Sequence, residues 1–133
     1  MIVERKQRRR QKGQERPEEK LRAAVLAYLS EALPPTAFFC VFPTKTTGLF
    51  HGLKMREPGV RPGFPNLLVL YGGRAFCIEL KADAHLLEPP QRDCYAALQD
   101  ARVPIVVARS LADVQHFLYV DCALPMRSWR SAA

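Results

Sequence analysis

The sequence predicts a single α/β domain, in which a mixed central sheet is flanked by helices and the elements follow the order αβββαβα. The chain has 133 residues, the size of one domain with a substantial core. Two apolar runs flank Gly72-Gly73, a pattern typical of a β-hairpin. A helical segment and another buried strand follow this hairpin, so we expect both antiparallel and parallel neighbours in one sheet.

Local signals predict each element in turn. Pro17 suits the first turn of a helix, and Leu21, Val25 and Leu29 recur along it at four-residue spacing until about residue 33. Aromatic and β-branched runs indicate strands, and a serine before an apolar segment indicates a helix start. The remaining predicted elements are strands at residues 38–42, 67–70, 75–78 and 104–108, and helices at 89–101 and at 111–120, the last capped by Ser110.

The charge of the chain favours a phosphate-rich partner. Lysine and arginine number 20 against 13 acidic residues, which gives a formal net charge of +7. Residues 4–16 are almost wholly charged or amide, so we predict that residues 1–16 form a basic flexible arm that adds salt-dependent affinity for DNA, with a simple solubility segment as the alternative. Residues 17–124 form the predicted domain, and residues 125–133 form a C-terminal tail with too little pattern to place.

Cysteine spacing and apolar run length exclude several classes of protein. The four cysteines include no C-x-x-C pair, so buried reduced thiols are predicted in place of a zinc ribbon or a redox site. No run reaches the roughly 18 apolar residues that a membrane span needs, and the N-terminal region is charged from residue 4 onward, where a signal peptide is apolar. We therefore expect a cytoplasmic protein without a membrane partner.

Three polar residues are predicted to meet at one end of the hairpin. The two-residue period of a strand directs Glu79 and Lys81 to the same face, about 6 to 7 Å apart. Antiparallel pairing brings Asn66, just before the first hairpin strand, beside the end of the second. Mg²⁺ and Mn²⁺ take oxygen ligands, and phosphodiester hydrolysis uses such an ion. Alternatively, Glu-x-Lys is a surface ion pair on an edge strand, and Asn66 only caps a turn.

These residues resemble the VRR-NUC (virus-type replication-repair nuclease) branch of the PD-(D/E)xK superfamily, which has a restriction-endonuclease-like core. The resemblance extends from about residue 18 to residue 108. It rests on an acid near the start of the first helix, the run Gly63-Phe64-Pro65-Asn66-Leu67, the strand Cys77-Ile78-Glu79-Leu80-Lys81, and Gln91 at the start of the next helix. The catalytic residues that it implies are Asn66, Glu79, Lys81 and Gln91, and the implied metal ligands are Asn66, Glu79, Leu80 and Glu18, with Glu19 as the alternative to Glu18.

Asn66 departs from the family pattern, which has aspartate at this position. An amide lacks the charge that holds a divalent cation. The resemblance therefore implies a Mg²⁺- or Mn²⁺-dependent endodeoxyribonuclease that cleaves branched DNA, such as a homodimeric four-way (Holliday) junction resolvase. It also implies a bacterial or phage-encoded, nucleoid-associated protein whose activity Asn66 impairs. An inactive DNA-binding protein with the nuclease fold is the main alternative, and an accessory subunit that mainly contacts other proteins is a third.

The long irregular segment before Asn66 is the predicted DNA contact. It carries basic side chains and leads directly to the proposed site, so phosphate contacts from it would position a strand there. A solvated basic loop is the alternative interpretation. The candidate DNA-binding residues are His51, Lys54, Arg56 and Arg61.

Overall fold

The predicted α/β class and element order are confirmed by the structure, a computed structural model that describes residues 17–42, 59, 61–82 and 84–129. The proposed basic arm at residues 1–16 lies outside this part of the chain. The elements are α1 (Pro17–Ala32), β1 (Phe38–Val41), β2 (Leu67–Tyr71), β3 (Arg74–Leu80), α2 (Pro89–Asp100), β4 (Ile105–Ala108) and α3 (Leu111–His116), followed by a π-helical turn (Phe117–Asp121).

The four strands form one mixed sheet in the order β1-β2-β3-β4. β1 and β2 are antiparallel, as are β2 and β3, whereas β3 and β4 are parallel. Tyr71 pairs with Arg74, so the hairpin turn consists of Gly72 and Gly73, whose φ angles are 59° and 74°. Glycine adopts these positive angles without steric cost, as the sequence predicts.

Alternation along β3 separates the core from the polar site. Phe76, Ile78 and Leu80 are buried in the apolar core that α1 and α3 share with one face of the sheet. Cys77 and Glu79 point to the opposite face, where α2 packs. β3 therefore carries the core on one side and the polar site on the other.

The last predicted helix is shorter than the sequence indicates. The α-helix ends at His116, and the chain continues as a wider π-helical turn to Asp121. The Cys122 N–H donates to the Phe117 carbonyl five residues earlier, at 2.8 Å. Phe117 and Leu118 are buried in the core, so tertiary packing determines where the regular helix ends.

The C-terminal residues pack on the end of α1 and are part of the domain as far as Trp129. The Arg127 backbone N–H donates to the Ala32 carbonyl at 2.7 Å, and the Arg127 Nε donates to the Leu33 carbonyl at 3.1 Å. These bonds satisfy carbonyls that a helix end leaves without a helical partner. The Trp129 ring packs edge-on against Tyr28 at a centroid distance of 5.7 Å. The C-terminal tail, which the sequence pattern did not place, thus packs on the end of α1.

All four cysteines lie in the part of the chain that the structure describes. All four cysteines are free thiols, of which Cys77, Cys94 and Cys122 are buried and Cys40 is half-buried. None of the helices in the described ranges combines the length and apolar character that a membrane crossing requires.

Candidate active site

Asn66 and Glu79 are the buried polar residues of the described chain, with 5% and 3% of their surfaces exposed. The pairing of Leu67 with Ile78 places them at the same end of the hairpin. The Asn66 backbone N–H donates to Glu79 Oε2 at 3.1 Å. In return, the Asn66 Oδ1 accepts from the Leu80 backbone N–H at 2.8 Å. The structure therefore brings position 66 and Glu79 into direct contact.

The interpretation of Glu79 as part of a surface ion pair on an edge strand is wrong. β3 lies between β2 and β4, and Glu79 is paired with Val107 of β4. Its carboxyl group is buried beneath α2, whereas Lys81 lies just beyond the strand and is half-buried. Moving a carboxylate from water into the protein interior costs free energy, so acidic residues are rarely buried. The burial of Glu79 therefore does not fit the role of an exposed ion-pair partner.

The pKa of Glu79 depends on its burial and on three neighbouring residues. Burial raises the pKa of Glu79 from 4.5 to about 7. The Asn66 N–H and the positive charge of Lys81 act to lower this pKa, and the negative charge of Glu18 acts to raise it. Glu18 and Lys81 thus lie within electrostatic range of Glu79. Glu18 is half-buried whereas Glu19 is exposed, so Glu18 is the acid of α1 that the fold directs to this site.

Gln91 completes the contacts of the Glu79 carboxyl group. The Gln91 Nε2 donates to Glu79 Oε1 at 3.0 Å. The Gln91 Oε1 accepts from the Glu88 backbone N–H at 2.9 Å, which fixes the orientation of the side-chain amide at the start of α2. Both oxygens of Glu79 are therefore held by donors, one from the segment before β2 and one from α2.

Arg61 is the predicted DNA-binding residue that the structure describes. It is exposed. Burial raises the pKa of the Cys94 thiol, the positive charge of Arg61 acts to lower this pKa, and the negative charge of Glu79 acts to raise it. Arg61 and Glu79 therefore lie on the same side of the sheet, near α2. The other candidates, His51, Lys54 and Arg56, lie outside the described residues.

Arg109 is a residue near this edge that the sequence interpretation missed. Its Nη1 donates to the His85 carbonyl at 2.8 Å, which ties the segment that follows Lys81 to the end of β4. The Lys81 N–H also donates to the Ala108 carbonyl, at 3.0 Å. The sequence signal for this residue was the position of an arginine directly after the predicted strand at residues 104–108. Parallel strands end at the same edge of a sheet, so this position places Arg109 near the end of β3.

The described side chains at this site fit a divalent cation poorly as they stand. The only side-chain oxygen of Asn66 carries no negative charge and has one lone pair in use by the Leu80 N–H, and the other polar atom of the amide is an NH₂ donor, which cannot bind a cation. No cluster of three His, Cys, Asp or Glu side chains that could hold a metal ion occurs in the ranges that the structure describes. Aspartate at position 66 would accept from Leu80 with one oxygen and leave the other free, beside Glu79 and Glu18.

The backbone is similar to that of a solved structure. A VRR_NUC domain protein matches with a TM-score of 0.65 and 18% sequence identity, covering 81% of this chain and 91% of that chain. The chain has a VRR-NUC-like fold. No protein-family model and no curated protein matches it. At this identity the likeness concerns the restriction-endonuclease-like α/β core, and the chemistry must be argued from the side chains themselves.

Proposed function

We propose that this VRR-NUC-like fold carries the site of a Mg²⁺- or Mn²⁺-dependent endodeoxyribonuclease for branched DNA, and that Asn66 impairs it. The observation that supports this proposal best is the burial of Glu79 at the hairpin end, within range of Lys81 and Glu18 and in contact with Gln91. A buried carboxyl group with a raised pKa, surrounded by convergent polar groups, is typical of functional sites.

Each residue has a proposed role. Glu79 and Glu18 are the carboxylates that would hold a cation once position 66 carries a further carboxylate, with the backbone carbonyl of Leu80 as an additional ligand, and Gln91 orients Glu79. Lys81 donates to the attacking water and holds it near the scissile phosphate. A divalent cation held there would supply charge neutralisation at the phosphate and would acidify water.

DNA is the proposed partner because of charge and position. The chain carries a formal charge of +7, and Arg61 lies on the same side of the sheet as Glu79. His51, Lys54 and Arg56, with the basic residues before position 17, are proposed to add phosphate contacts. We propose a homodimer on a four-way junction, because two sites related by a two-fold axis match the symmetry of that substrate. Light scattering of the full chain, alone and with junction DNA, measures this stoichiometry.

A second candidate function is DNA binding without hydrolysis. The bond from the Leu80 N–H to the Asn66 oxygen favours it, because the amide already has a structural use in the chain. In this case the nuclease fold supplies a binding surface only, and neither metal ion changes the bound DNA.

Substitution Asn66→Asp distinguishes the two functions. We expect it to raise Mg²⁺- or Mn²⁺-dependent cleavage of four-way or flap DNA by at least about a hundredfold, since it restores the missing charge. Asn66→Ala is the matched control, because it removes the amide without adding a carboxylate, and it should show no gain. Adding Glu79→Gln or Lys81→Ala to Asn66→Asp should abolish the gained cleavage.

The assay compares four-way, flap and linear DNA with each metal ion and with chelator. A folded Asn66→Asp protein that binds junction DNA but cleaves no substrate would reject the nuclease proposal and leave the binding function. Equal cleavage with and without Lys81 or Glu79 would remove that residue from the mechanism.

A further inference from the structure

Gly63 lies in direct backbone contact with the start of α2. Its φ angle is +82°, and a Cβ atom added there would lie 2.4 Å from the Pro90 carbonyl carbon and oxygen and 2.5 Å from the Gln91 nitrogen. These neighbours are backbone atoms at a helix start, which cannot rotate away as a flexible side chain can. Glycine is therefore required here both for its conformation and for the closeness of the contact.

The helix turn that packs on Gly63 is the turn that holds Gln91. The Gln91 amide is fixed at both ends, because its Oε1 accepts from the Glu88 N–H at 2.9 Å and its Nε2 donates to Glu79 Oε1 at 3.0 Å. A displacement of this turn by a few tenths of an ångström or more changes the second bond, since Glu79 is anchored separately on β3.

The segment that contains Gly63 also leads to the other donor of Glu79. Phe64 packs edge-on against Phe42 at a centroid distance of 5.2 Å, and the Phe42 N–H donates to the Asn66 carbonyl at 2.8 Å. Asn66 in turn donates its own N–H to Glu79 Oε2. Gly63 thus lies where the segment before β2 contacts the start of α2, and each of these two parts donates a hydrogen bond to one oxygen of Glu79.

We propose that Gly63 is a positioning residue. By allowing the first turn of α2 to approach the segment before β2, it sets the Gln91 amide on Glu79 and so fixes the direction of that carboxyl group. The consequence for catalysis rests on the proposed nuclease function, whereas the structural consequence does not.

Gly63→Ala and Gly73→Ala form a matched pair that tests the structural part. Gly73 has a similar φ angle of +74°, but nothing lies within 4 Å of a Cβ added there, so this control introduces the strain without the clash. NMR of the full chain reads the Gln91 side-chain amide by its ¹H and ¹⁵N shifts and its hydrogen exchange. We expect Gly63→Ala to shift these signals and speed exchange at least about tenfold, and Gly73→Ala to leave both unchanged. Unchanged Gln91 signals in Gly63→Ala, or equal changes in both variants, would overturn the proposal.

Kinetics in the Asn66→Asp background tests the catalytic part. Adding Gly63→Ala should lower kcat by about 10- to 100-fold with KM changed less than about threefold, because a misplaced group affects the chemical step more than DNA binding. The Gly73→Ala control should leave both constants unchanged. An unchanged kcat beside a shifted Gln91 signal would overturn the catalytic role. If Asn66→Asp itself cleaves nothing, the proposed function fails while the NMR comparison still decides the role of Gly63.

A second variant covers the case in which Gly63→Ala does not fold. Glu88 has φ −72° and ψ 158°, angles that proline adopts, so Glu88→Pro suits the backbone. It removes both halves of the capping box: the N–H that holds the Gln91 Oε1, and the side chain that accepts from the Gln91 backbone N–H. We expect the Gln91 amide signals to shift while the rest of the spectrum is retained. Unchanged signals would show that the start of α2 does not fix the amide, and the proposal would fail.

Discussion

Replacing Glu79 with glutamine should change how the stability of the protein depends on pH. Burial raises the pKa of Glu79 to about 7 in the folded protein, against 4.5 for an ordinary glutamate. The folded state therefore binds this proton more tightly than the unfolded chain does. The resulting stabilisation is fully present below about pH 4.5 and is lost as the pH rises through about 7, where the buried group must ionise.

The size of the effect follows from the gap between the two pKa values. At about 1.4 kcal/mol for each pH unit, the contribution of Glu79 to the free energy of unfolding falls by on the order of 3 kcal/mol across that window. Glutamine has nearly the same shape and cannot ionise, so its contribution is constant with pH. It loses one acceptor for the donors at Asn66 and Gln91, which gives a constant offset without a slope.

Urea unfolding of both proteins from pH 4 to pH 8.5, without divalent cations, measures the difference directly. We expect the original chain to lose stability relative to Glu79→Gln as the pH rises, with most of the change between about pH 4.5 and 7. Subtraction cancels the other titrating groups, because the two proteins share them. A difference that is flat with pH, or that rises in the opposite direction, would refute the assignment of Glu79 as a desolvated carboxyl group.

Three further predictions concern the stability of the fold, each measured as the free energy of urea unfolding. Asn66→Ala should destabilise by roughly 1–3 kcal/mol because the buried Leu80 N–H loses its acceptor, whereas Asn66→Asp retains it; equal stability of all three proteins would contradict this. Ser110→Ala should cost about 1 kcal/mol through loss of the cap of α3, and no change would exclude that cap. Trp129→Ala should cost roughly 1–3 kcal/mol because Tyr28 loses its packing partner, and a neutral result would show that the C-terminal segment is not docked.

The sequence predicts those features that depend on local periodicity. The Gly72-Gly73 turn determines the register of the hairpin, and this register places Asn66 beside Glu79. The contact between these two residues could therefore be predicted. Pro17 at the first position of α1 and the Ser110 cap of α3 likewise mark where helices begin. These signals lie within a few residues of the structure they determine.

The features that the sequence did not reveal depend on tertiary packing. The close contact of Gly63 with α2 joins segments that a sequence pattern does not connect. The change to a π-helical turn after His116 and the docking of Trp129 on Tyr28 depend on the shape of the core surface. The bond of Asn66 to Leu80 was also missed, because its direction depends on which atom of the amide meets a backbone N–H.

The polar groups around Glu79 come from four separate parts of the chain: the start of α1, the turn before β2, the residue that follows β3 and the start of α2. No local segment contains the site, so partly folded chains in which single helices or the hairpin have formed cannot assemble it. The proposed hydrolytic site therefore exists only when these four parts of the chain are packed together.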